Sequence, residues 1–381
     1  MLPPSLLALL CAVFTISDAH PAPQSSPEPH FFQVGDRHLT SRATKTEYIA
    51  YAVAGINQMQ TWYDAANGLW DNAWWHSANV LTVLANFEEY FPDMVKPTTD
   101  LVYPTTFAMA PKRFPGFINE FYDDELWWAL AWIEVYDVTK DEKYLDTAAA
   151  IFEDPKSVWG STPCGGLWWN KARTGVGAVE NELYLTAAAK LANRRPNTPS
   201  SGYYFNEAMR AYEWFMASGL INSDNVINNG LNLQTCENDG NRVFSYNQGI
   251  LLPGLAELTW ATGNASYTEL ANTIALAAMR NLTNADGILT DPCDGGCNSD
   301  TEQFKGVFAR AIQFMVNRAV GLPEATRTTY TDFLKRNADS IWAYNQVDNQ
   351  LGLVWAGPYG RATIMTQSSS LDAIVGAACV S

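Results

Sequence analysis

Tyr122-Asp123-Asp124-Glu125-Leu126-Trp127-Trp128-Ala129-Leu130-Ala131-Trp132-Ile133 is acidic for one turn and apolar for the next two. Apolar residues at three- and four-residue spacing mark a helix, and here they cover most of its circumference, as in a helix enclosed by others. The helix is expected over about 119–137, with counterparts near 73–91, 177–193, 246–262, 303–320 and 364–379. Each follows a loop marked by Gly and an apolar pair: Gly68-Leu69-Trp70, Gly116-Phe117-Ile118, Gly166-Leu167-Trp168, Gly219-Leu220-Ile221, Gly287-Ile288-Leu289 and Gly352-Leu353-Val354. Ahead of the markers lie helices charged on one face, about 42–64, 141–153, 203–219, 265–283 and 325–344, plus a broken segment near 95–110. One helical hairpin cannot bury its own apolar face, so units repeating at roughly 50 to 65 residues must stack. The expected fold is all-α, an (α/α)6 toroid of six helical hairpins. An open superhelix of the same units is the alternative.

The 381 residues carry 40 acidic and 24 basic side chains, a net charge of −16 that repels nucleic acid and anionic membranes and leaves neutral or cationic substrates. Aromatics make up 13% of the chain, with 14 Trp, and indole rings stack on the apolar faces of sugars as readily as they fill cores. Residues 2–16 are almost continuously apolar and end at Ser17-Asp18-Ala19, so residues 1–19 read as a signal peptide, 20–40 as a disordered leader and 41–381 as the catalytic domain. The apolar run is too short to span a bilayer, and no membrane insertion is expected. Secretion permits disulfides among Cys164, Cys236, Cys293, Cys297 and Cys379, an odd number that leaves at least one unpaired within the chain. Cys293 and Cys297 suit a loop staple. Zinc is disfavoured there by the spacing and the lack of a nearby His, and a calcium loop over 291–302 by Cys293 and Gly295 at ligand positions. Asn264 and Asn281 head glycosylation sequons.

If the inner helices run parallel, their first turns share one end of the toroid. Polar and aromatic residues gather in those turns and the marker loops: Asn72, Trp74, Trp75, His76 and Asn79; Tyr122, Asp123 and Asp124; Trp168 and Trp169; Glu180 and Asn181; Tyr246, Asn247 and Gln248; Lys305. Amides and carboxylates for hydroxyls, with rings for stacking, are what a sugar needs. Each residue also has a plainer role: first-turn acids oppose the helix dipole, Trp127 and Trp128 suit the core, and His76 a structural hydrogen bond. Asp123 and Asp124 stand out because they head a Trp-lined apolar helix. Two carboxylates crowded there cannot both ionise easily, which yields one acid and one base. Glycosidic cleavage uses such a pair, and neighbours on a helix suit the ~5 Å spacing of retaining enzymes better than the wider inverting gap.

In this order, Gly68-to-Asn79, Tyr122-to-Trp128, Gly165-to-Trp169, Glu180-to-Leu183, Tyr246-to-Gly249 and Phe304-to-Gly306 resemble glycoside hydrolase family 76, the endo-α-1,6-mannanases, across essentially the whole mature chain. The resemblance implies an (α/α)6 toroid, retaining cleavage of internal α-1,6-mannosidic bonds, Asp123 as nucleophile and Asp124 as acid/base. It implies no metal or organic cofactor, and mannan as the partner of a monomeric, secreted or wall-associated enzyme. The family's fungal wall branch, acting on mannose-containing anchors as transglycosidases, looks less similar: here Asp123-Asp124 precedes Glu125-Leu126-Trp127-Trp128, and residues 371–381 lack a long hydrophobic tail. Transfer to a sugar acceptor would use the same two acids. A mannan-binding protein without turnover is the remaining alternative.

Overall fold

The computed structural model describes residues 42–381; the expected signal peptide and leader lie outside the described residues. Twelve α-helices are found among them: α1 Lys45–Met59, α2 Trp74–Tyr90, α3 Pro92–Met109, α4 Tyr122–Thr139, α5 Glu142–Ser157 and α6 Ala178–Arg194, followed by α7 Tyr203–Ala217, α8 Ser245–Thr262, α9 Ser266–Asn281, α10 Phe304–Arg318, α11 Glu324–Tyr344 and α12 Ile364–Cys379. The even-numbered helices pack in sequence, α2 on α4, α6, α8, α10 and α12, and α12 returns to α2. That last contact closes the ring and excludes an open superhelix. The odd-numbered helices pack outside it.

Burial separates the two rings as the sequence pattern requires. In α6, 15 of 17 residues are buried, whereas α7 buries only the stripe Tyr204, Ala208, Ala211 and Phe215. Inner helices meet closely because small residues sit at their crossings. A Cβ on Gly306 of α10 would stand 2.6 Å from Ser369 Cα and 2.6 Å from Asp372 Oδ2 of α12. Backbone cannot yield as a flexible side chain does, so Gly306→Ala should destabilise the protein by about 1–3 kcal/mol, measured by denaturant unfolding.

The segment expected to be broken is instead the continuous α3, which contains Pro97 and Pro104. Both prolines are exposed and seven residues apart, so they share the solvent face. The carbonyls they leave without helical partners belong to the exposed Asp93 and Asp100, which can turn toward solvent.

Side chains of the helices clamp the marker loops. Asn181 accepts from Leu167 N at 2.8 Å, Gln367 accepts from Leu351 N at 2.7 Å, and Gln248 brackets Ile227 with two 2.8 Å bonds. Gly166, at φ 68°, is needed beside the Asn181 clamp: a Cβ there would meet Asn181 Oδ1 at 2.7 Å and the Trp214 ring. Two disulfides, Cys164–Cys236 and Cys293–Cys297, tie further loops and fit an oxidising compartment, while Cys379 is free. Asn264 and Asn281 are exposed. No described helix is long and apolar enough to cross a membrane.

Candidate active site

A cleft of about 550 Å³ opens at the N-terminal ends of the inner helices. Asp123 and Asp124 occupy the first turn of α4 and line it, with Trp127 one turn below. Phe121 bridges antiparallel to Asn170, and Tyr122 N donates to Trp169 O at 3.0 Å, so the loop before α6 is laid along the start of α4. This brings Trp169 Nε1 within 3.0 Å of Asp123 Oδ2, while Asp123 Oδ1 is buried without a hydrogen-bond partner. Asp124 Oδ2 instead accepts from Asn119 Nδ2 at 2.7 Å. Glu125, the third acid of the turn, points away from the cleft and pairs with Lys171 at 3.0 Å, pinning the same loop.

These environments separate the two acids electrostatically. Burial raises Asp123 to about 6, against the pull of the Trp169 indole. Asp124 is pushed well above the usual carboxylate range, first by burial and then by the neighbouring Asp123 charge, which outweigh the Asn119 amide. Burial acts on both acids, and Asp124 also bears the charge of its neighbour, so Asp124 is the one that holds its proton more firmly. Glu180 is fully buried at the cleft wall; it accepts from Gly177 N, and burial raises it to about 8.

Of the other expected sugar contacts, Trp75, Trp169, Glu180 and Tyr246 line the cleft. Trp75 stacks at 24° with Trp127, centroids 5.9 Å apart, and Tyr246 stacks on Phe304 at 3.7 Å. Trp127, for which the core was the expected place, is 95% buried yet forms part of the cleft lining.

The remaining residues support the site from outside the cleft lining. Trp74 is buried against Phe114 and Trp128, and Trp168 and Tyr122 are buried too, with Lys171 over the Tyr122 ring. Asn72 accepts from Arg113 through its backbone and side-chain oxygens, at 2.6 and 3.1 Å. Asn79 accepts from Arg310, whose guanidinium lies 5.6 Å from the Trp127 ring centroid. Asn181 and Gln248 are loop clamps, not cleft groups, and Asn247 is buried with its amide on Asn229. Lys305, also buried, is held by Asp294 and Leu353 O. Neighbours on a helix diverge by about 100°, so sharing a first turn does not mean sharing its cleft face.

Sequence reasoning missed Phe121, Asn229, Asp239, Asp300 and Phe304, which also line the cleft. Asn229, Asp239 and Asp300 come from irregular loops, where no periodicity reports direction. The one usable signal is for Asp300, an acid between the closely spaced Cys293 and Cys297 and the inner helix that follows.

The family model for glycosyl hydrolase family 76 matches residues 40–380. The chain belongs to this family. Among curated relatives, the family 76 chain is 28% identical to mannan endo-1,6-alpha-mannosidase DFG5 of Saccharomyces cerevisiae, over 52% of its own length and 44% of the relative's. It is 26% identical to DCW1 of Candida albicans, over 64% and 58%. The chain thus spans about half the length of these relatives. Its fold matches the GH76A alpha-1,6-mannanase of Salegentibacter sp. HEL1_6, with TM-score 0.77 and 21% identity, covering 88% of this chain and 100% of that one. Dfg5 of Chaetomium thermophilum in complex with glucosamine also gives 0.77, at 18% identity over 90% and 92%.

Proposed function

We propose that this chain is an endo-acting α-1,6-mannosidase that retains anomeric configuration and acts outside the cell. The observation that carries the reading is the pair Asp123 and Asp124, adjacent in one aromatic-walled cleft but held in different surroundings, Asp123 on the Trp169 indole and Asp124 on the Asn119 amide. Asp123 attacks the anomeric carbon as Asp124 protonates the departing glycosidic oxygen, giving a mannosyl-enzyme ester. Asp124 then takes a proton from water, which displaces Asp123 and restores the original configuration. Trp75, Trp169 and Tyr246 offer ring faces to the sugars. Mannan as substrate is supported by the names of the curated relatives and by the Salegentibacter enzyme, whose inactive Asp-to-Asn double variant binds α-1,6-mannotriose.

NMR of linear α-1,6-mannan during digestion should show the first-formed product with the α configuration. A β product would remove the nucleophile role from Asp123. The acid limb of kcat/KM should fall near pH 6, where Asp123 gains its proton, and activity should decline again at higher pH as Asp124, raised by burial and by the Asp123 charge, loses its own. A limb below pH 4.5 would contradict this pairing of roles. Incorporation of a labelled acceptor sugar in preference to water would make the enzyme a transglycosidase working through the same two residues.

A further inference from the structure

The loop from Asp291 to Glu302 carries four acids, and three are consumed in holding it. Asp291 accepts from the backbone and hydroxyl of Ser245 at 2.8 and 2.6 Å, Asp294 pairs with Lys305, and Glu302 binds Arg361 at 2.9 Å and Thr363 at 2.7 Å. The Cys293–Cys297 disulfide staples its middle. The fourth, Asp300, is turned into the cleft. Its Oδ1 accepts from Trp75 Nε1 at 3.3 Å and lies 3.6 Å from His76 Nε2. Its side chain is 59% exposed, and Oδ2 makes no hydrogen bond to any described residue. None of the described residues lining the cleft is basic, so no cation there competes for that oxygen.

We propose that Asp300 is a specificity-determining residue: Oδ2 accepts hydrogen bonds from hydroxyls of the mannosyl unit stacked on Trp75, while Oδ1 fixes the plane of that ring. This rests on reading the cleft as a mannan site. A carboxylate suits the task because it is purely an acceptor when ionised and can engage two hydroxyls of one sugar. A stapled loop holds it in position without an ordering cost on binding. His76, kept neutral by burial that lowers it to about 4, does not neutralise it.

The isosteric Asp300→Asn keeps an oxygen for Trp75 but replaces the free acceptor with a donor. It should raise KM for α-1,6-mannotetraose about tenfold, the loss expected of a charge-assisted hydrogen bond, with a smaller change in kcat. The acid limb should also move to lower pH, because the Asp300 charge raises both Asp123 and Asp124. Asp124, Glu180 and Tyr246, on which the Asp123 charge acts, are untouched, as are His76 beside Asp300 and Arg113, which acts on Asp124. A KM within twofold of wild type with an unmoved limb would reduce Asp300 to a brace for Trp75 and overturn the proposal.

Calorimetric titration of mannotetraose into Asp123→Asn and into Asp123→Asn/Asp300→Asn separates this from the proposed activity. Tenfold weaker binding by the double variant supports Asp300 even if the wild type fails to cleave mannan. Equal binding by the two, or none by either, overturns it.

Discussion

Asp123→Asn lowers kcat/KM on linear α-1,6-mannan by about 10,000-fold or more, and Asp124→Asn by about 100- to 10,000-fold, with circular dichroism unchanged in both. The first change removes the nucleophile, which no neighbour replaces: Glu125 is turned away onto Lys171, and Glu180 holds the backbone of Gly177. The second leaves the nucleophile but removes the proton for the departing oxygen, so substrates with better leaving groups should recover part of the rate. Full activity in either variant would end the assignment of catalysis to this pair.

Stability should move the other way. Burial raises Asp123 to about 6, so its ionisation opposes folding. The stability it permits is complete below the unfolded-state value near 3.9 and is lost as pH climbs through 6. A neutral Asn escapes that loss. The Asp123→Asn melting temperature should therefore equal or exceed the wild-type value at pH 7.5, and the advantage should shrink by pH 4. A lower melting temperature at pH 7.5 would contradict the assignment of Asp123 as a group ionised at a cost to folding.

Arg194→Met destabilises the protein by about 3–5 kcal/mol, the expected effect of removing one member of a buried ionic cluster. Arg194, at the C-terminal end of α6, donates to Asp137 Oδ1 at 2.8 Å and to Glu257 Oε1 at 3.1 Å, tying α6 to α4 and α8. Its nitrogen also reaches Lys190 O at 2.9 Å, and Lys190 pairs in turn with Glu134. Met keeps the length of the stem but leaves the largely buried carboxylates of Asp137 and Glu257 without their cation. Because the cluster lies at the opposite ends of these helices from Asp123, kcat at a permissive temperature should stay within about twofold. Urea unfolding measures the first quantity, and a stability loss under 1 kcal/mol would show that the cluster contributes little net energy.

The helices were legible because their signal is local. A 3.6-residue period and Gly-marked loops locate all six inner helices to within a few residues, and α3 was misread only because two prolines on its solvent face resemble a break. The acids at the head of α4 were legible for a similar reason: charge beside a run of Trp is conspicuous in a linear sequence. The cleft lining was not. Trp74 and Trp75 look equivalent as letters, as do Trp168 and Trp169, yet helix phase in the first pair and the course of an irregular loop in the second bury one of each and give the other to the cleft.

By itself, the sequence determined the all-α class, the count of hairpins, the adjacent acids and the family resemblance, all of which reside in spacing along the chain. Only the tertiary structure decided that α12 closes on α2, that Asn181 and Gln248 serve loops rather than sugar, and that Asp300 enters the cleft. Those outcomes depend on the direction in which a side chain leaves its backbone and on which distant segment it meets. Packing fixes both, and neither leaves a local pattern.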